Sequence, residues 1–199
     1  PKGLVPFHLY DDGVRTAFAE HLYEAAQLTA AGQERGSARC DVHFTISEPH
    51  VSLFERARDS ETARLEEAIG VRCRVTFSVQ APVTDTIASD LSGELRRDDA
   101  GDIAFHPGGH GALLSNLAQL GADVVLIKNI DNIARRESSP QIVDVRRQIS
   151  GRLLQLESQV HEALRQLRAG RDAQDALNLL EREFGVRPPA PLPDDESKR

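Results

Sequence analysis

The sequence contains no methionine, only two cysteines, and no long uninterrupted apolar run. Each absence excludes something. A chain without methionine that opens on Pro1-Lys2-Gly3 does not read as a complete translation product. With a closing "RPPAPLPDDESKR" of linker composition, it is expected to be a piece of a longer protein. Cys40 and Cys73 do not have the spacing of a metal-binding pair and are too few for a disulfide framework, so both are expected as buried free thiols. A membrane span needs about 18 consecutive apolar residues, and no basic-then-apolar signal segment opens the chain. The expected location is therefore the cytoplasm, with no membrane contact. Positive charge is also short. Lys plus Arg number 24 against 31 Asp plus Glu, for a net charge of −7, which argues against nucleic acid as a partner. A local basic pocket for a phosphate-bearing small molecule is still allowed.

What is present fits a globular protein. Hydrophobic residues make up 40% of 199 and charged residues 28%, enough for one core with an appendage. Periodicity predicts a helix over Thr16 to Ala31, stopped by Gly32, with Phe18, Leu22, Ala25, Ala26 and Leu28 inward. Alternation predicts strands at Cys40 to Ile46 and Val71 to Val79. Between them a helix over Val51 to Ile69 turns Leu53, Phe54, Ala57, Leu65 and Ile69 inward and closes at Gly70. Thr86 to Phe105 reads as a hairpin with a polar centre, and Ala112 to Leu120 as a short helix. The apolar run Asp123 to Ile130 reads as a central buried strand. From Ser139 a long amphipathic helix repeats apolar residues at seven (Ile142, Ile149, Leu156; Leu153, Val160, Leu167). A second helix, Ala173 to Phe184, turns Ala176, Leu177, Leu180 and Phe184 inward to complete a helical hairpin. No internal repeat is evident. The expected fold is an α/β three-layer sandwich with a mainly parallel sheet over 1–137, a helical hairpin over 138–185 and a Pro-rich tail over 186–199.

Four stretches carry residue choices that packing does not require. In "PKG", Lys2 is either a solvated lysine or a point charge for phosphate. In "HPGGHGALL", Gly108, Gly109 and Gly111 allow close backbone approach, and the loop feeds a helix whose free amides suit an anion. The alternative is a plain strand-to-helix turn. Zinc at His106 and His110 is disfavoured, because Pro107 and the glycines forbid the helical geometry that spacing needs. In "KNIDN", Asp131 between Asn129 and Asn132 follows the apolar run, where open α/β sheets bind ligands, and suits a hydrated Mg²⁺; an Asp-Asn turn is the plain reading. In "QAPVTDTIA", Gln80 has the chemistry to read a base edge, and Asp85 that of a turn residue or a ligand to hydroxyls. The remaining histidines show no spacing that implies a site. There is no Ser-His-Asp arrangement, P-loop lysine or dinucleotide glycine fingerprint.

The order Pro-Lys-Gly, Gln80, "PGGHG", "NIDN" resembles that of the UDP-sugar pyrophosphorylases. More closely, "PKGLVPFHLYDDGVRTAFAEHL", "TDTIASD", "PGGHGALLSNL" and "IKNIDN" are similar to a bacterial family of unknown function, domain-of-unknown-function family 4301. The wider resemblance implies a nucleotidyltransferase-like (GT-A-like) fold and transfer of a nucleotidyl group from an NTP to a sugar 1-phosphate with Mg²⁺. On that resemblance, Lys2 and His110 would approach phosphate. Gln80, with the amide of Gly109 and the loop glycines Gly108 and Gly111, would hold the base. Asp131 would hold the metal, supported by Asp85, Asn129 and Asn132. The glycine-rich nucleotide loop that precedes Pro-Lys-Gly in the pyrophosphorylases, and their later metal ligand and lysine, are not in this sequence, so the chain alone is expected to be inactive. Two further readings stay open: a non-catalytic nucleotide- or sugar-phosphate-binding protein, and an interaction module working through the helical hairpin.

Overall fold

The computed structural model describes residues 1–30 and 36–187. The expected helix end at Ala31, its stop at Gly32 and all but the first two residues of the Pro-rich tail lie outside the described residues. The chain divides into two compact units, Pro1–Val143 and Asp144–Arg199, with the division falling inside a helix.

The first unit is built on a strand-helix-strand element. Strand β1 (Pro6–Tyr10) pairs antiparallel with β2 (Gly13–Thr16), and Thr16 runs into α1 (Ala17–Ala30). The Thr16 hydroxyl accepts the Ala19 N–H at 3.2 Å, which caps the first turn. Strand β3 (Arg39–Ile46), helix α2 (Val51–Ile69) and strand β4 (Arg72–Val79) follow, with β3 and β4 parallel. Gly70 ends α2 in the left-handed conformation at φ 77°, with its N–H returned to Glu66 O. The two strands are near-copies: "RCDVHFTI" faces "RCRVTFSV" in strict register, Cys40 opposite Cys73, Val42 opposite Val75, Phe44 opposite Phe77. The apolar alternates face the helices. Phe18 and Leu22 of α1, Phe54 and Leu65 of α2, and Ile46 and Val75 form the core, with Phe44 and Phe77 packed against it. Four phenylalanine rings meet there, Phe18 and Phe44 with centroids 4.8 Å apart. The other alternates form a polar face, on which Asp41 accepts two hydrogen bonds from Arg74 and His43 lies between Thr76 and Ser78.

Several expectations are corrected. Leu53 is exposed rather than inward, since Phe54 takes the core position one residue later. The Asp123 to Ile130 run joins no ladder, and Val125, Leu126 and Ile127 are exposed. Among the described residues the parallel sheet has only β3 and β4. A strand is buried only when neighbouring backbones pair with it, and this run is held by side chains instead. The expected hairpin is a tighter object. β5 (Thr86–Ile87) pairs with β6 (Phe105–His106), and between them Ala88, Arg96 and Ala104 close a ring of three backbone hydrogen bonds at 2.9 Å each. The three residues lie eight apart, and the turns joining them, "DLSGE" and "DDAGD", each use an Asp carboxylate to accept downstream N–H groups. A short repeat is therefore present after all. The helix expected at Ala112 to Leu120 is a 3₁₀ turn, His110–Leu113, followed by α3 (Leu114–Ala118).

Helix α4 (Ser139–Arg168) begins in the first unit and continues in the second, where it is followed by α5 (Gln174–Phe184). In the second unit Leu156 and Val160 are half-buried, and Leu179 is the buried residue of α5. Leu180 and Phe184, expected inward, are exposed. The inward stripe is instead Leu179 and Glu183, one residue round from the expected face, and Glu183 pairs there with Arg152 of α4.

Candidate functional site

The Pro1 turn sets the first member. Leu4 N–H donates to Pro1 O at 3.0 Å, and Gly3 is buried. A Cβ on Gly3 would sit 3.1 Å from a Phe54 ring carbon and 3.3 Å from an Ile130 side-chain carbon, so glycine lets the turn lie between α2 and the segment leading to Asp131. Lys2 then reaches across, with Nζ 3.1 Å from Asp131 Oδ2. Its hydrogen bond holds the Asp131 carboxyl below the usual carboxylate range, helped by a backbone N–H and by the nearby charges of Lys2 and His110. His110 Nε2–H donates to Asn129 Oδ1 at 3.1 Å. Lys2, His110, Asn129 and Asp131, up to 129 residues apart in sequence, thus form one exposed cluster.

The Asn129–Asn132 turn is fixed from behind by α1. Lys128 Nζ donates to both carboxylate oxygens of Glu24, at 3.0 and 3.1 Å, in a pair almost wholly buried. His21 Nε2–H donates to Ile130 O at 3.0 Å. Asn132 N–H closes the turn on Asn129 O at 3.1 Å, and Ile133 is buried. Beyond the turn, Arg136 donates to the buried Glu20 carboxylate at 3.3 Å and stacks over Tyr23, its guanidinium carbon 4.2 Å from the ring centroid. Tyr10 completes this group by accepting the Arg136 N–H, and burial pushes its phenol up. None of these anchors was singled out from the sequence. The available signal was Glu20 and Glu24, two carboxylates four residues apart in a helix with no other Asp, Glu, Lys or Arg, beside its apolar face.

A second cluster lies where β4 ends. Gln80 Nε2 donates to Thr84 Oγ1 at 3.1 Å, and Thr84 Oγ1–H donates to Ala81 O at 2.6 Å. Gly108 lies directly against this turn. A Cβ at 108 would fall 2.4 Å from Thr84 O, so its close neighbour is the chain's own carbonyl rather than space for a ligand. Gly109 and Gly111 are different, because a Cβ on either meets nothing within 4 Å, and both line open space beside His110. Asn116 of α3 donates to Ser78 Oγ at 2.9 Å and Val79 O at 3.0 Å, which docks the loop's far end onto the end of β4.

The helix-terminus argument for anion binding does not carry. α3 has five residues and starts at Leu114, after the 3₁₀ turn that contains His110 and Gly111. Asp85 is half-buried, and among the described residues no hydrogen bond ties it to the Lys2–Asp131 pair. His106 sits in β6 opposite Thr86, away from His110's partner Asn129.

The arrangement offers a cation (Lys2), a hydrogen-bond donor (His110), an ionised carboxylate (Asp131) flanked by amides, and open backbone at Gly109 and Gly111. One exposed carboxylate with neighbouring amide oxygens fits a hydrated Mg²⁺ that draws the rest of its shell from water and phosphate. A metal held by protein groups alone needs more donors, and no group of three His, Cys, Asp or Glu side chains suited to a metal occurs among the described residues. No helix among them is long and apolar enough to cross a membrane. A family model described as "Domain of unknown function (DUF4301)" matches residues 1–191. No curated protein and no solved structure matches the chain.

Proposed function

The chain belongs to the DUF4301 family over residues 1–191, and we propose that its site, argued from its own residues, binds a nucleotide through its phosphates with Mg²⁺, on a nucleotidyltransferase-like (GT-A-like) fold related to that of the UDP-sugar pyrophosphorylases. The observation that carries the reading is the convergence of Lys2, His110, Asn129 and Asp131 on one exposed locus, next to the Gln80–Gly108 contact at the carboxyl end of β4. In an open α/β sheet this is the end where ligands bind.

The chemistry follows from the groups. Without ligand, Lys2 and Asp131 neutralise each other. A bound phosphate would take over the Lys2 ammonium, which would free the Asp131 carboxylate to hold the cation. Mg²⁺, when bound, supplies neutralisation of phosphate charge. His110 donates to a phosphate oxygen, and Gln80, with the amide of Gly109, reads the base edge. Positioning and charge account for the role of every one of these groups, as phosphoryl-group chemistry requires. Sugar 1-phosphate is the acceptor in this reading.

Isothermal titration of the chain with UTP in the presence of MgCl₂ tests it. Saturable binding that needs Mg²⁺ and weakens at least about tenfold in Asp131→Asn and Lys2→Met is expected, the loss of one charged contact being worth that much. No heat at millimolar nucleotide, across UTP, ATP, GTP and CTP, overturns it. A non-catalytic binding role on the same fold is the second reading. Nucleotide binding with no pyrophosphate released across a panel of sugar 1-phosphates distinguishes that role from catalysis.

A further inference from the structure

Away from this site, the two cysteines are placed for chemistry with each other. Cys40 is the second residue of β3 and Cys73 the second of β4, and they face each other in register. Adjacent strands run about 4.8 Å apart, within the roughly 4.4–6.8 Å Cα separation a disulfide accepts. Both side chains point to the helix-facing side, and their Sγ atoms stand 2.7 Å apart, about 0.7 Å beyond a bond. Both thiols are free.

Their surroundings differ. Cys40 is buried with Ala26, Ala38 and Val71, while Cys73 is only half-buried. The hydrogen bond between them works in opposite directions on the pair. Acting with burial it pushes the Cys40 thiol up, and it holds Cys73 below the usual thiol range against its burial. Cys73, half-buried where Cys40 is buried, is thus the sulfur a peroxide reaches first, and Cys40 the resolving one.

We propose that Cys40 and Cys73 are a reversible oxidation site, closed to an intramolecular disulfide by hydrogen peroxide and reopened by a thiol reductant. The Cys73 thiolate attacks one peroxide oxygen. The O–O bond breaks, Cys73 becomes a sulfenic acid, and hydroxide leaves to take up a proton as water. Cys40 Sγ then attacks Cys73 Sγ; the S–O bond breaks, and a second water leaves with the Cys40 proton. Two thiols and one peroxide give one disulfide and two waters, the sulfur pair losing two electrons. Reduction by thiol–disulfide exchange returns both thiols at the cost of two reductant thiols, which pair with each other. The bond closes a loop containing all of α2, so it restricts the unfolded chain and stabilises the β3–α2–β4 element.

The test treats the reduced full chain with a small excess of hydrogen peroxide, then denatures it and counts thiols with a maleimide by intact mass. Loss of two hydrogen masses, no maleimide added, full recovery on dithiothreitol and a raised melting temperature are expected. In Cys40→Ser, dimedone should trap the sulfenic acid at Cys73, and peroxide should leave the melting temperature where it was. The proposal fails if the wild-type chain keeps both thiols after that peroxide treatment. It fails equally if the wild type goes to sulfinic acid or to disulfide-linked dimers instead. Because the decisive readout is on the wild type, it survives a variant that does not fold.

Discussion

Replacing Arg136 with methionine probes what holds the Asn129–Asn132 turn in place. Arg136 keeps the aliphatic stem but loses the cation facing Glu20, whose side chain is 1% exposed, while that of Arg136 is 24% exposed. His8 is a further neighbour of Glu20, with Nδ1 3.6 Å from Oε1. Removing one partner of a buried pair costs about 3–5 kcal/mol, because the other charge is left uncompensated. The partial exposure of Arg136 places this case near the lower end, at about 3 kcal/mol. With a urea m-value of about 2 kcal/mol/M, the unfolding midpoint falls by about 1.5 M. Glu20→Gln in the same chain removes the stranded charge and keeps the shape, so the double variant should recover a large part of the loss. A single variant within about 0.5 kcal/mol of wild type, or a double variant less stable than the single, refutes the reasoning. The same loosening reaches the site: the Asn129–Asn132 turn, released on one side, should bind Mg²⁺-nucleotide more weakly in calorimetry.

Gly108→Ala drives a Cβ to 2.4 Å from Thr84 O and should cost about 1–3 kcal/mol in urea unfolding, whereas Gly109→Ala, which meets open space, should be nearly neutral. Asp131→Asn should leave the melting temperature unchanged, since the Lys2 pair is exposed, while it removes Mg²⁺-dependent nucleotide binding; a large fall in melting temperature would mean that the turn, not the site, had been broken. Burial holds the His43 imidazole below its ordinary value, so the unfolded chain binds more protons between the two values. Stability should therefore rise with pH through that window and level off above it, and His43→Gln should flatten the rise when urea midpoints are compared across pH.

Much of the core element was legible. The alternation of β3 and β4 and the 3.6-residue pattern between them fixed both strands and α2, because a two-faced sheet under helices leaves a plain apolar signature. Cys40 and Cys73 were read as buried free thiols, which holds for Cys40, while Cys73 is free but half-buried; their pairing was not read, since register between strands is a tertiary fact. Gly70 was readable as a stop because only glycine relieves a left-handed cap. What failed shares one cause. The Asp123 to Ile130 run, Leu53, Leu180 and Phe184 are apolar residues whose burial depends on a partner that composition does not reveal. At the site, Lys2, Gln80, His110 and Asp131 were picked from the sequence; the structure joins Lys2 to Asp131 and His110 to Asn129, while Gln80 bonds Thr84 in a separate cluster. Gly108 was picked for a ligand but answers to Thr84. The anchors Glu20, Glu24, Lys128 and Arg136 were passed over because surface charge and buried charge look alike in a sequence.

The ring of Ala88, Arg96 and Ala104 has a consequence for how this protein tolerates change. It ties the Gln80–Thr84 turn to the Gly108 loop, for Thr86 pairs with His106 at its base. A ring closed by three amides spaced evenly along the chain has no free edge at which to absorb a misfit. One residue added to either turn brings the wrong amide to its acceptor, with its N–H facing away. Length variation in this arm is thus all-or-none, and a single-residue insertion between Asp90 and Asp102 should disturb the spacing of Gln80 and His110 from some distance away, without touching either residue.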